Sequence, residues 1–175
     1  MRKYILCILV LALIVTIGFD TKVDAETKEE YFDRGVTYYM LGKHQQAIKD
    51  FNQAIRLDPK FAEAYNNRGS AYYGKGQYDE AIADYTKAIE LNPKYAEAYY
   101  SRGNAHYGKE QFDNAIADYT KAIELNPKYD KAYNNRGTGY INLGKKDRAC
   151  DDWRKACELG FCKGLNWAKK EGVCQ

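Results

Sequence analysis

An all-α stack of helix-turn-helix units follows from three features of this chain: a pattern returning every 34 residues, two helical periodicities inside each copy, and a proline after the second. The period is plainest in AIADYTKAIELNPKY, which stands unchanged at Ala81–Tyr95 and again at Ala115–Tyr129. Aligning on Pro59, Pro93 and Pro127 divides the chain into units at 28–61, 62–95 and 96–129. A divergent fourth unit follows at 130–161, then a capping helix and tail at 162–175.

Residues 1–25 differ in kind. Arg2 and Lys3 precede an uncharged run from Tyr4 to Phe19, and the polar stretch after it ends Val23-Asp24-Ala25. That order of charge, apolar run and small residue predicts a secretory signal cut after Ala25. The alternative is an uncleaved anchor, although 16 residues is slightly short of the roughly 17 to 25 that span a bilayer. Either way the repeats are expected outside the cytoplasm, exported across the inner membrane and periplasmic or secreted. Removal of the segment changes the net charge from +3 to +2, because it takes away three basic and two acidic residues. With lysines dispersed among acids, no basic stripe suits nucleic acid.

The first helix of each unit carries Tyr31, Tyr65, Tyr99 and Tyr133, then Gly35, Gly69, Gly103 and Gly137, then Tyr38, Tyr72, His106 and Tyr140. Steps of four and three put all of these on one face. The second helix repeats the steps with Ala47, Ala81, Ala115 and Ala149, then Phe51, Tyr85, Tyr119 and Trp153, then Ala54, Ala88, Ala122 and Ala156. Small residues opposite glycine are expected to let the helices approach, with aromatics filling what is left. Between them Gly42, Gly76 and Gly144 suit a left-handed helix end. Glu110 stands there in the third unit; a left-handed backbone would cost it about 1 kcal/mol, so a looser turn is expected. The prolines then stop the second helix, lacking an amide donor and clashing with the preceding turn.

A stacked array leaves an apolar face at its last unit. Ile48/Ile55, Ile82/Ile89 and Ile116/Ile123 occupy the face that the next unit covers, and in the fourth unit these positions become Cys150 and Cys157. After Gly160 comes a short amphipathic segment with Leu165 and Trp167, flanked by Cys162 and Cys174. Four cysteines in an exported chain read as a disulfide framework with three connectivities. Cys150 and Cys157, seven apart on one helix, are roughly 10 Å apart along its axis and too far to bridge each other. A hairpin pivoting near Gly160 favours the nested pairs Cys150–Cys174 and Cys157–Cys162, with crossed pairing the alternative. The first unit has no comparable cap, which leaves its face at residues 28–41 open to dimerisation or a partner.

With about eight signature positions in each unit, such as Tyr65, Gly69, Tyr72, Ala81, Tyr85, Ala88 and Pro93, residues 28–159 resemble the tetratricopeptide repeat (TPR) family, here of an exported bacterial type with a cysteine-rich cap. Departures are His106 at an aromatic position, Phe161 at the fourth proline, and Arg34, Arg68, Arg102 and Arg136 where leucine is commoner. The arginine stems are expected to pack, their heads reaching solvent or a nearby carboxylate. The resemblance implies a right-handed superhelical solenoid with first helices lining its concave surface. The lining would be Phe32, Val36 and Tyr39, then Asn66, Ser70 and Tyr73, then Tyr100, Asn104 and Tyr107, then Asn134, Thr138 and Ile141. Asparagine can pair with an extended backbone, and tyrosine adds contact at low entropic cost. The family's asparagine ladder maps onto Asn67 and Asn135, interrupted by Asp33 and Ser101. Its lysine clamp is matched by Lys131 alone, since Phe32, Val36 and Glu97 hold the other places.

Catalysis is not expected. His44 and His106 lie in different units, the recurring Asp50, Asp84 and Asp118 belong to the repeat, and neither phosphate-loop motif is present. The cysteines lack C-x₂-C spacing, so neither zinc nor any other cofactor is expected. The reading is a non-catalytic exported scaffold for a protein or extended peptide, with no nucleic acid, and membrane contact only through an uncleaved signal. Two alternatives stand beside it: a small redox or thiol enzyme using the cysteines, and a cell-wall glycan binder stacking sugars on Tyr73, Tyr100 and Tyr107.

Overall fold

The computed structural model describes residues 26–174; the secretory signal expected at 1–25 lies outside them. Among the described residues there are nine helices and no strands. They are α1 (Lys28–Met40), α2 (His44–Leu57), α3 (Ala62–Gly74), α4 (Tyr78–Leu91), α5 (Ala96–Gly108), α6 (Phe112–Leu125), α7 (Asp130–Asn142), α8 (Lys146–Glu158) and α9 (Lys163–Lys170). Successive helices pack on one another, so α1/α2, α3/α4, α5/α6 and α7/α8 form a solenoid of four pairs closed by α9. Among the described residues no helix is long and apolar enough to cross a membrane.

The chain enters α1 through a capping box in which Thr27 Oγ1 accepts from the Glu30 amide and the Glu30 carboxylate accepts from the Thr27 amide. Phe32 lies against Phe51 and Phe61, while Met40 and Leu41 at the end of α1 stay exposed. Each second helix stops two residues before its proline, at Leu57, Leu91 and Leu125, because the residue before proline is driven out of the α region. Asp58, Asn92 and Asn126 occupy that place. Each turns its side chain to accept the amide of Lys60, Lys94 or Lys128, which starts the next unit.

Within a pair the helices meet where an aromatic ring rests on a glycine. A Cβ placed at Gly35, Gly69, Gly103 or Gly137 would approach a ring atom of Phe51, Tyr85, Tyr119 or Trp153 to 2.7–2.9 Å. Glycine is therefore the seat of the ring itself, and the alanines at Ala47, Ala81, Ala115 and Ala149, all fully buried, fill beside it. This is closer than the expected meeting of small residues, because the ring needs the space that a side chain would take.

The four arginine heads reach carboxylates, one of the two ends expected for them. In every pair the guanidinium forks onto an aspartate of the second helix. Arg102 donates from Nε and Nη2 to Asp118 at 2.8 Å each, and Arg34–Asp50, Arg68–Asp84 and Arg136–Asp152 repeat the geometry. Asp152 completes in the fourth unit a series legible in only three. The remaining Nη1 reaches the second helix of the preceding pair, from Arg68 to Asn52, Arg102 to Thr86 and Arg136 to Thr120. A tyrosine one turn earlier, such as Tyr99 with its ring 5.6 Å from the Arg102 guanidinium, faces the cation.

Glu110 keeps the left-handed turn, with φ 58° beside 70–74° at Gly42, Gly76 and Gly144. The Gln111 amide bonds to His106 O at 2.9 Å, as the Gln77 amide does to Tyr72 O at 3.0 Å. The turn is thus no looser than its neighbours. Stacking of α5 and α6 holds the geometry, and the strain stays in Glu110.

The array ends at α8, whose exposed face is covered by α9 and the tail. Cys150 is bonded to Cys174 and Cys157 to Cys162, around a reversal at Gly160 with φ 105°. Leu165 and Ala168 of α9 are buried in a cluster with Cys150, Trp153 and Cys174. Gly164 presses on Trp153 so closely that a Cβ there would lie 2.3 Å from the indole, and its amide donates to Asn134 Oδ1 at 3.1 Å.

Two stability measurements follow. Asp118→Ala leaves the Arg102 cation desolvated and is expected to cost about 3 kcal/mol. Arg102→Met with Asp118→Leu should cost less than either single change, read as urea midpoints. Glu110→Gly relieves the left-handed strain and is expected to gain about 1 kcal/mol; an unchanged or lowered midpoint would show that the turn carries no strain.

Candidate peptide-binding surface

Tyr73 of α3, Asn104 and Tyr107 of α5, and Asn135 and Thr138 of α7 converge around a hollow of about 150 Å³, with Tyr119 of α6 beneath. None of these side chains is charged. The register explains the meeting. Each first helix presents the same face in turn, and the spacing of four and three brings one polar or aromatic side chain per turn to that face.

Hydrogen bonds inside the hollow fix which atoms remain available. Asn135 Nδ2 donates to Tyr100 Oη at 3.1 Å and to Asn104 Oδ1 at 2.9 Å, and Tyr119 Oη donates to the same Oδ1 at 2.8 Å. Asn142 Nδ2 donates to Tyr107 Oη at 2.9 Å. The Asn104 carbonyl is thereby saturated, while its Nδ2 and the Tyr100 and Tyr107 hydroxyl protons have no acceptor among the described residues. Burial pushes the Tyr119 and Tyr73 phenols upward, so both stay protonated at neutral pH. The surface therefore offers donors, which suits the carbonyls of an extended chain.

Other expected lining residues lie elsewhere. Asn66 is 3% exposed with an unpartnered Oδ1, beside Tyr95, whose phenol burial pushes up to about 12. It is thus withdrawn from any ligand, a correction to its place in the lining. Asn67 donates to Glu63 O of its own helix at 2.8 Å, so it does not continue a ladder with Asn135. Ser70 donates to Asn66 O and accepts from Tyr85 Oη. Phe32, Val36 and Tyr39 pack into the cluster around Phe51. Lys131 is exposed on the first turn of α7 and lines neither hollow.

Asn134 is committed to the cap. Its Oδ1 holds the Gly164 amide, its Nδ2 donates to Asn135, and its backbone carbonyl accepts from Trp153 Nε1. A larger hollow of about 430 Å³ opens there, with Asn134, Asn135, Thr138 and Ile141 on one side, Trp153 at its base, and Phe161, Lys163, Gly164 and Trp167 on the other. The sequence places Trp153 in the core and Trp167 in the cap without joining them, because the docking angle of α9 has no periodic signature. The histidines stay apart from both hollows: His106 Nδ1 lies 2.7 Å from Gln111 Oε1, and His44 sits against Gly74.

Several known proteins share this architecture. TPR repeat models match residues 35–76 and 69–110, and tetratricopeptide repeat models match 96–129 and 118–151. No curated protein matches the chain. A crystal structure of MamA is 34% identical over 79% of this chain and 81% of its own, with a TM-score of 0.74. MamA from Desulfovibrio magneticus RS-1 is 26% identical over 75% of each chain, with a TM-score of 0.70. The first TPR of Spaghetti (RPAP3), solved bound to the HSP90 peptide SRMEEVD, is 28% identical over 71% of this chain and 98% of its own, with a TM-score of 0.66. Helix pairs seated ring on glycine, matched by family models through residue 151 and by a solved relative over most of both chains, make this chain a member of the tetratricopeptide repeat family.

Proposed function

We propose that this protein is an exported, non-catalytic scaffold that holds a protein or extended peptide along the concave surface of its repeats. One observation carries the reading: the unpaired donors Asn104 Nδ2 and the Tyr107 hydroxyl gather at an uncharged hollow on the first helices, where lining residue Asn135 also bonds the Tyr100 hydroxyl. An extended backbone has carbonyls to meet such donors, and the absence of charge leaves its side-chain sequence unconstrained there. The relative solved with a bound HSP90 peptide supports peptides as the ligand class. Export is supported by the signal-like segment at 1–25 and by the pairing of Cys150 with Cys174 and Cys157 with Cys162, a state that persists in oxidising compartments.

Glycan stacking draws less support. The Tyr100 ring is occupied by Tyr119 and Tyr129, with centroids 5.9 and 4.8 Å away, and Tyr107 by Phe112 at 5.3 Å. Of the three tyrosines, Tyr73 is the one that stays exposed, at 39%, with Tyr78 tilted beside it at 5.4 Å.

A photo-crosslinking residue at Asn104, with a control at Lys87 on the surface of α4, tests the reading in cells that export the protein. Capture of one peptide or protein from Asn104 and not from Lys87 is expected. Equal capture from both, or none from either, would remove the concave surface as the binding site. N-terminal sequencing of the exported form should begin at Glu26, and thiol titration should find no free cysteine.

A further inference from the structure

The hollow between the last repeat and the cap is separate in character from the donor-lined surface, yet it adjoins it, since Asn135 and Thr138 line both. Its walls are Ile141 on one side and Phe161 and Trp167 on the other, over Trp153. Trp167 remains 47% exposed, although it packs edge-on against Trp153 with ring centroids 5.6 Å apart. At about 430 Å³ the space is of ligand-pocket size. Lys163 is its one charged lining residue and has no ion pair among the described residues; no acid lines the hollow. The outer wall exists because Cys162, between Phe161 and Lys163, is bonded to Cys157, and because Gly164 is hydrogen-bonded to Asn134.

We infer that this hollow is a specificity pocket for a bound peptide: it takes a large apolar side chain, and Lys163 meets the carboxylate of an acidic residue beside it. The inference rests on the peptide-binding reading above and adds to it a sequence requirement that the uncharged surface cannot impose. Burial of an aromatic side chain among Trp153, Phe161, Ile141 and Trp167 supplies the affinity. The lysine selects an acidic neighbour, because charge complementarity at the rim discriminates more than it binds.

Trp153 and Trp167 are the two tryptophans of the chain, so emission excited at the red edge, where its tyrosines do not absorb, reports on this pocket. The oxidised protein is titrated with three blocked octapeptides of glycine and serine bearing a central Phe-Asp, Phe-Asn or Ala-Asp pair. The Phe-Asp peptide is expected to shift the emission saturably, the Ala-Asp peptide to bind roughly tenfold or more weakly, and the Phe-Asn peptide about threefold more weakly. Lys163→Gln should abolish the difference between Phe-Asp and Phe-Asn, and Trp167→Ala, whose fold is checked by circular dichroism, should lose the Phe preference. Equal binding of all three peptides, no response to any, or a Phe preference that survives Trp167→Ala overturns the pocket. If Asn104 still captures a partner in that case, the concave-surface reading stands and only the cap pocket falls.

Discussion

The forked ion pair between each first helix and its second is the constraint on which the solenoid depends. The guanidinium has a fixed planar spread of donors, so two of its bonds set the distance and rotation of Asp118 relative to Arg102, and a third sets Thr86 of the preceding pair. One side chain thereby fixes three helices. Because the carboxylate is nearly buried, at 9% exposure, its charge is tolerable only while the fork is complete. A misregistered stack would strand both charges, so the pair acts against wrong packings as much as for the right one.

The ring-on-glycine seat works together with the fork. The fork holds the helices in register, and the seat holds them close, since any Cβ at Gly103 would displace Tyr119. Closeness then delivers Tyr119 Oη to Asn104 of the facing helix, next to Gly103. The seat that packs the interior therefore also orients the amide that faces the candidate ligand.

Charge is distributed accordingly. The four forked arginines and their aspartates neutralise one another between helices; some lysines pair along their own helices, as Lys87 with Glu90 and Lys121 with Glu124, and others between elements, as Lys28 with Asp58 and Lys109 with Asp79. What is left on the shared face of the first helices is asparagine and tyrosine. Of the two hollows, the one at the cap has a cation in its lining, Lys163, on a segment that ends the repeat and so escapes its rules.

Periodic features were legible from residues alone: the repeat period, the helix pairs, the cysteines gathered at the open end and the tetratricopeptide character all follow from spacings of three, four and 34, because stacking forces equivalent residues into equivalent places. Part of the candidate surface was legible for the same reason, in Tyr73, Asn104, Tyr107, Asn135 and Thr138. Three dimensions were needed wherever side chains from different helices compete for the same space or partner. Asn66 and Asn134 occupy the same repeat position, yet Asn66 is buried next to Tyr95 and Asn134 is tied to the cap through Gly164. The pocket at Trp153 and Trp167 arises from how one short helix docks, and docking is set by the summed shape of surfaces distant in sequence, which no local spacing encodes.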